Sequence, residues 1–316
     1  MNIQPERSRW LQMAEQELEI MEKHHIQACG IEDSNYPRLL KHCEDAPLVL
    51  FYKGTLEDSD TKNIAIVGTR KATEVGKKRV DTLLQELAQM GYRPNIISGL
   101  AYGIDIAAHT ACVHYGLKAQ AVLGHGLHMI YPASHKNMAE KILDQGGTLI
   151  SEFPTCAQVL PTNFLQRNRI VAGMSEAILV AESPIKGGAM STARQALSYS
   201  REVMAIPGRP EDTTFAGCNL LIKQNIATLV ENVKDLLRIL NWSPLPTGPY
   251  QMSLDLFPES DDETRLIETL TKAGEQNIDQ LHQLTRIPVH DLSVLLLKLE
   301  LEGHVMQLPG NCYTLI

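Results

Sequence analysis

The chain has 316 residues, 44% hydrophobic and 21% charged, with a formal net charge of −8 at pH 7; at roughly 100–200 residues per domain, that allows two or three domains around a large core. No window approaches the ~18 unbroken apolar residues of a membrane span, and the first ten residues lack the apolar stretch of a secretory signal. Six scattered cysteines without a C-x-x-C pair argue against a disulfide framework or a zinc ribbon and predict a reducing, cytoplasmic setting.

In chain order, residues 1–60 read as a short N-terminal helical segment. Trp10, Met13, Ala14, Leu18 and Met21 keep a helical spacing and predict a helix over 10–28. The stretch Tyr36-Pro37-Arg38-Leu39-Leu40 follows, then a short apolar run over 48–52 that closes at Gly54. Residues 61–240 alternate strand-like runs (64–67, 95–98, 119–123, 148–151, 177–181, 202–206 and 227–230) with amphipathic patterns such as Val80, Leu83, Leu84, Leu87 and Met90. Unbroken apolar strands separated by such helices predict an α/β fold, with an extended Rossmann-like parallel sheet covered on both faces. Gly68, Gly99, Gly124 and Gly208 stand at or just after strand ends, where ligand loops of such sheets lie. Residues 241–262, with Pro244, Pro246, Gly248, Pro249 and Pro258 and an acidic run, read as a linker. Residues 263–316 predict three helices, around 266–270, 278–284 and 289–301. Gly303 is read as the stop, and 305–308 with 312–316 as a hairpin, together a winged-helix-like domain.

Charge divides the chain. Residues 1–62 carry 7 Lys/Arg against 12 Asp/Glu, residues 63–250 carry 18 against 14, and residues 251–316 carry 4 against 11. A basic centre between acidic ends suits an anionic ligand held by a local patch. The acidic tail argues against strong duplex binding there and for a protein contact, although Arg286, His290 and Lys298 leave a DNA-reading winged helix open.

Several loops in the centre carry anion-binding chemistry. Gly68-Thr69-Arg70 follows a buried strand, so backbone N–H groups and a bidentate guanidinium can meet a phosphate. Ser98, Gly99 and Gly103 form a second strand–helix junction, with Asp105 read as a helix cap. Gly124-His125-Gly126 lacks the third glycine of a dinucleotide fingerprint, because Met129 stands there, and His125 and His128 read as structural. Arg167 and Arg169 suit phosphate contacts or a buried salt-bridge hub. Lys186-Gly187-Gly188 opens a helix and forms a phosphate cradle, expected to join Arg70 in one basic crevice. Lys223 is a further basic candidate. No catalytic residue, metal or cofactor is assigned.

The succession IAIVGTR, SGLAYGIDIAAH, a G-x-G loop with YP, ISEFP, RNRI, GG-x-x-x-TA and IPGR…GCNLLI resembles the DNA-processing protein A (DprA/Smf) family over roughly residues 31–240. The resemblance implies a non-catalytic binder of single-stranded DNA that protects the incoming strand and loads the RecA recombinase during natural transformation, and the chain is expected to form a homodimer. It places Arg70, Lys186, Gly187 and Gly188 in the strand-binding loops and Arg167 and Arg169 in the RNR segment. Where the family usually shows Ser-Gly-Ser, this chain has Gly187-Gly188-Ala189. Aromatic stacking candidates are Tyr102, Tyr131 and Phe164. The alternative is a nucleotide-cleaving phosphoribohydrolase with the same core. Such enzymes use a Glu shortly after the Thr of this motif, where the chain has Gln195 after Thr192, leaving Glu152 as the other acid to recruit.

Overall fold

The structure, a computed structural model, describes residues 4–56, 62–242, 261–301, 304–308 and 312–315. It divides into two compact units, residues 1–243 and 244–316. In the first, α1 (Gln4–Lys23), β1 (Gln27–Gly30), α2 (Arg38–Lys41) and β2 (Val49–Gly54) precede the alternating core. The core runs β3 (Asn63–Gly68), α3 (Glu74–Gln89), β4 (Asn95–Ser98), α4 (Ile104–Tyr115), β5 (Lys118–Val122), α5 (Lys136–Asp144), β6 (Thr148–Ser151) and α6 (Pro161–Gly173). It continues through β7 (Ala177–Glu182), α7 (Gly188–Ser198), β8 (Glu202–Ala205), α8 (Ala216–Lys223), β9 (Thr228–Leu229) and α9 (Val233–Ile239).

The nine strands form one sheet in the order β1-β2-β6-β5-β4-β3-β7-β8-β9. From β6 to β9 every pairing is parallel, whereas β2 pairs antiparallel with both β6 and β1. Successive residues of β3 face opposite layers. Ile64 and Ile66 pack with α3 and α4 residues such as Leu84, Leu87 and Ile104; Ala65 and Val67 pack with Ile170, Val171 and Ala193 of α6 and α7. Both faces are thus covered, which is why β3 and β7 read as unbroken apolar runs. Among the described residues no helix is long and apolar enough to cross a membrane.

One expectation is corrected in the N-terminal segment. The helix expected over 10–28 ends at Lys23: His25 takes a left-handed φ of 53°, and the chain turns into β1. Its apolar positions are mostly unburied, with Trp10 64% and Leu18 62% exposed and only Met21 entering the core. Residues 1–60, expected as a short helical segment, also carry β1 and β2, which extend the central sheet.

The second unit contains α10 (Asp261–Ala273), β10 (Gln276–Asn277), α11 (Ile278–Thr285), α12 (Val289–Leu301), β11 (Val305–Leu308) and β12 (Cys312–Leu315). Its sheet order is β10-β12-β11, the three-helix, small-sheet plan of a winged helix. Leu266, Leu270, Leu281, Leu292, Leu296 and Leu299 form its core. Asn277 and Gln280 cap α11 reciprocally, the Asn277 carboxamide accepting from Gln280 N and the Gln280 carboxamide from Asn277 N, both at 2.9 Å. The expected linker over 241–262 falls mostly, and Gly303 and Ile316 wholly, outside the described residues.

Candidate nucleic-acid interface

The chain runs from β3 outward through β4, β5 and β6, then returns to place β7 on the other side of β3. Strand order therefore reverses between β3 and β7, where open α/β sheets present a ligand crevice at their carboxyl ends. A crevice of about 480 Å³ lies there. Gly68 to Arg70 after β3, Gly99 and Ala101 after β4, one face of α6, and Pro184 with Lys186 to Gly188 entering α7 line it.

Close backbone approach holds these loops together. Gly103 has φ of +79°, and a Cβ there would lie 2.1 Å from Thr69 O. Ile104 N donates to that same oxygen at 3.2 Å. The first two loops are thereby locked to each other, which fixes Arg70 relative to α4.

On α6, Phe164, Arg167, Asn168 and Val171 recur at helical spacing and all face the crevice. Arg70 is exposed, its guanidinium carbon 5.5 Å from the centre of the Phe164 ring, within cation–π range. The centre of the Tyr131 ring lies 5.6 Å from that of Phe164, the two rings tilted by 47°. Lys186 is exposed just before α7, whose N-terminus opens at Gly187 and Gly188. An exposed lysine beside a helix N-terminus attracts anions.

Arg167 forms the floor. It is only 3% exposed. Its Nη1 donates to Val122 O at 2.9 Å, and its buried Nε has no acceptor. A Cβ at Gly99 would sit 1.6 Å from Nη1, so this glycine makes the space the guanidinium fills. Asp105, also lining the crevice, supplies the opposing charge; its carboxylate accepts from Gly99 N at 3.1 Å. Burial pushes the Asp105 carboxyl above its usual range, while Arg167 and the N–H groups of Ala101 and Gly99 pull it back. Asp105 thus serves the floor of the crevice; the N-cap position of α4 belongs to Gly103.

Six of the ten candidate residues line the crevice: Arg70, Gly99, Arg167, Lys186, Gly187 and Gly188. The other four lie outside its lining. Ser98 is fully buried and its hydroxyl donates to Ile66 O at 2.7 Å. Gly103 is consumed in packing against Thr69. Arg169 turns away from the crevice, held by the Glu152 carboxylate and the Asp45 carbonyl. Of the two readings open for the arginine pair, the buried salt bridge describes Arg169. Lys223 ends α8, exposed, outside the crevice lining.

The neighbouring polar residues are structural. His125 has both ring nitrogens engaged, Nδ1 with Gly126 O at 3.0 Å and Nε2 accepting from Tyr131 N at 3.1 Å. Burial lowers its pKa. Tyr102 packs edge-on against His135 at 4.8 Å. Gln195 reaches Tyr199 Oη at 3.4 Å, away from the crevice lining. The stacking candidate Phe164 stands on α6, and Asn168, one turn further on, is a lining residue that the sequence does not single out. The signal that would have found both is the spacing Phe164–Arg167–Asn168–Val171 after Pro161, a good first helical residue.

Comparison with known proteins agrees with this architecture. The family model described as DNA recombination-mediator protein A matches residues 27–241, and that of the DprA winged helix domain matches residues 252–311. Protein Smf of Escherichia coli K12 is 36% identical over 292 residues, covering 91% of this chain and 76% of that protein. DNA processing protein DprA of Streptococcus pneumoniae R6 is 38% identical over 208 residues, 66% of this chain and 72% of that protein. The crystal structure of the Streptococcus pneumoniae protein superposes with a TM-score of 0.63 at 36% identity, covering 67% of this chain and 74% of its own. DNA processing protein A of Helicobacter pylori, described for a unique single-stranded DNA binding mode, superposes with a TM-score of 0.60 at 29% identity, covering 69% and 98%.

Proposed function

The chain belongs to the DNA recombination-mediator protein A family, and from that premise we propose that it binds single-stranded DNA in the crevice at the β3/β7 reversal. Arg70, Lys186 and the backbone N–H groups of Gly187 and Gly188 hold phosphates, above a floor made by Gly99 and Arg167. Phe164 and Tyr131 offer ring faces to the bases. The protein works in the cytoplasm as a homodimer, protects the incoming strand and passes it to the RecA recombinase during natural transformation. The supporting observation is the convergence of Arg70, Lys186 and the α7 N-terminus on one crevice that also contains Phe164.

Binding rather than catalysis is assigned to the crevice. A nucleotide-cleaving enzyme needs an acid beside the sugar. Gln195 stands on α7 where the resemblance puts that acid, Glu152 is paired with Arg169, and the crevice's own acid, Asp105, is buried against Gly99 N and Arg167. Anisotropy titrations of single-stranded and duplex oligonucleotides of equal length, over a range of salt, test the proposal. The single strand should bind more tightly, with log K falling against log salt by roughly 0.7 for each phosphate neutralised. Equal affinity for both forms would overturn it. Incubation with nucleoside monophosphates should release no free base.

A further inference from the structure

A buried guanidinium with an unpartnered nitrogen at the floor of the crevice is more than a strand lying across its rim requires. Arg70 and Lys186 are exposed at the rim, but Arg167 is 3% exposed beneath them. Its Nη1 is spent on Val122 O and Asp105 opposes its charge, while its buried Nε has no acceptor, and the residue lines a space of about 480 Å³, a volume typical of a site for one compact ligand. The α7 N-terminus opens into the same space. A Cβ at Gly188 would meet nothing within 4 Å, so the first N–H groups of this helix are approachable.

Among the described residues, the charged side chains lining the crevice are Arg70, Arg167, Lys186 and Asp105, which leave a formal charge of +2. An internal phosphodiester carries one negative charge and is tethered on both sides. A terminal phosphomonoester carries about −1.5 to −2 at pH 7, with three strong acceptor oxygens. It is tethered on one side only, so it can descend to Arg167.

We propose that the crevice is an end site that takes a nucleotide bearing a phosphomonoester, either the 5′-terminal nucleotide of a strand or a free nucleoside monophosphate, with Arg167 as its buried anchor. This deepens the reading of the crevice as a nucleic-acid site and rests on it.

The test uses the full chain and 3′-fluorescein oligothymidylates of one length, with and without a 5′-phosphate, at physiological salt. The 5′-phosphate should tighten binding at least about tenfold, about 1.4 kcal/mol. Thymidine monophosphate should displace the phosphorylated strand and thymidine should not. A phosphorylated strand that binds more tightly than the monophosphate identifies a strand end as the ligand, and the reverse order identifies the free nucleotide. Arg167→Gln should bring the two strand affinities together. If that variant does not fold, Lys186→Gln, at an exposed position, should narrow the same ratio. Equal and tight binding of both strands overturns the end site while leaving strand binding intact. Binding of the monophosphate with no affinity for either strand overturns strand binding and keeps the end site.

Discussion

Glu152→Ala is expected to destabilise the sheet unit strongly and to leave strand binding in place. Glu152 Oε2 pairs with Arg169 Nη2, and the two side chains are 9% and 11% exposed. Burial pushes the Glu152 carboxyl up, and Arg169 opposes that shift. Removing the carboxylate leaves a guanidinium in a nearly dry site, and breaking a buried pair from one side costs about 3–5 kcal/mol. Asp45, 4.0 Å from Arg169 Nε and 46% exposed, remains as a weaker partner, so the low end, about 3 kcal/mol, is the better estimate. At roughly 2–4 °C per kcal/mol for a domain of this size, the melting temperature should fall by about 6–12 °C. The double variant Glu152→Leu with Arg169→Met removes both charges together and should recover most of the loss, because apolar replacement of a whole buried pair is often neutral. Thermal melts by circular dichroism, beside oligonucleotide anisotropy on the same preparations, measure both effects. A Glu152→Ala protein melting within about 1 °C of its parent would refute the energetic argument. A folded Arg169→Met protein that no longer binds single strands would return Arg169 to the phosphate site.

Arg70→Ala and Lys186→Ala should each weaken strand binding without altering sequence preference and lower the salt slope by roughly 0.7, because phosphate contacts carry no base information; wild-type affinity in both would show the crevice to be misplaced. Burial, aided by Arg167 and His135, pulls His109 down from 6.5 to about 3, so it stays neutral in the fold while the unfolded chain takes up a proton. Its stabilising contribution is complete well above pH 6.5 and is lost as pH falls toward 3, with roughly 1.5 kcal/mol going between pH 6.5 and 5. Urea unfolding of His109→Leu should show that much less pH dependence, and an unchanged slope would assign the acid sensitivity elsewhere. A fragment of residues 1–242 should fold and keep most of the strand affinity, since the chain divides at 243 and the tail is acidic; a folded fragment without affinity would move the DNA site to the winged helix.

What the sequence discloses depends on how local its cause is. β3 and β7 are legible because burial on both faces demands unbroken apolar residues within a few positions of each other. The loops of the crevice are legible because glycines mark the ends of those strands. β1 is not legible: Gln27-Ala28-Cys29-Gly30 has no strand-like alternation, and its extended form follows from pairing with residues 49–52 of β2. The two arginines of the RNR segment show the same limit at the site. Two positions apart on α6, they differ in side-chain partners that lie far off in sequence. Arg169 meets Glu152, 17 residues away, and Asp45, 124 residues away. Arg167 meets Val122, 45 residues away, across the sheet. No spacing rule could tell one from the other, because the choice is made where β2 joins β6 and where α6 crosses the ends of β4 and β5. The antiparallel addition of β2 beside β6 is therefore more than an edge decoration. It brings the segment that carries Asp45 to Arg169, satisfies that guanidinium beside the sheet, and leaves Arg167 as the arginine of the pair whose charge faces the crevice.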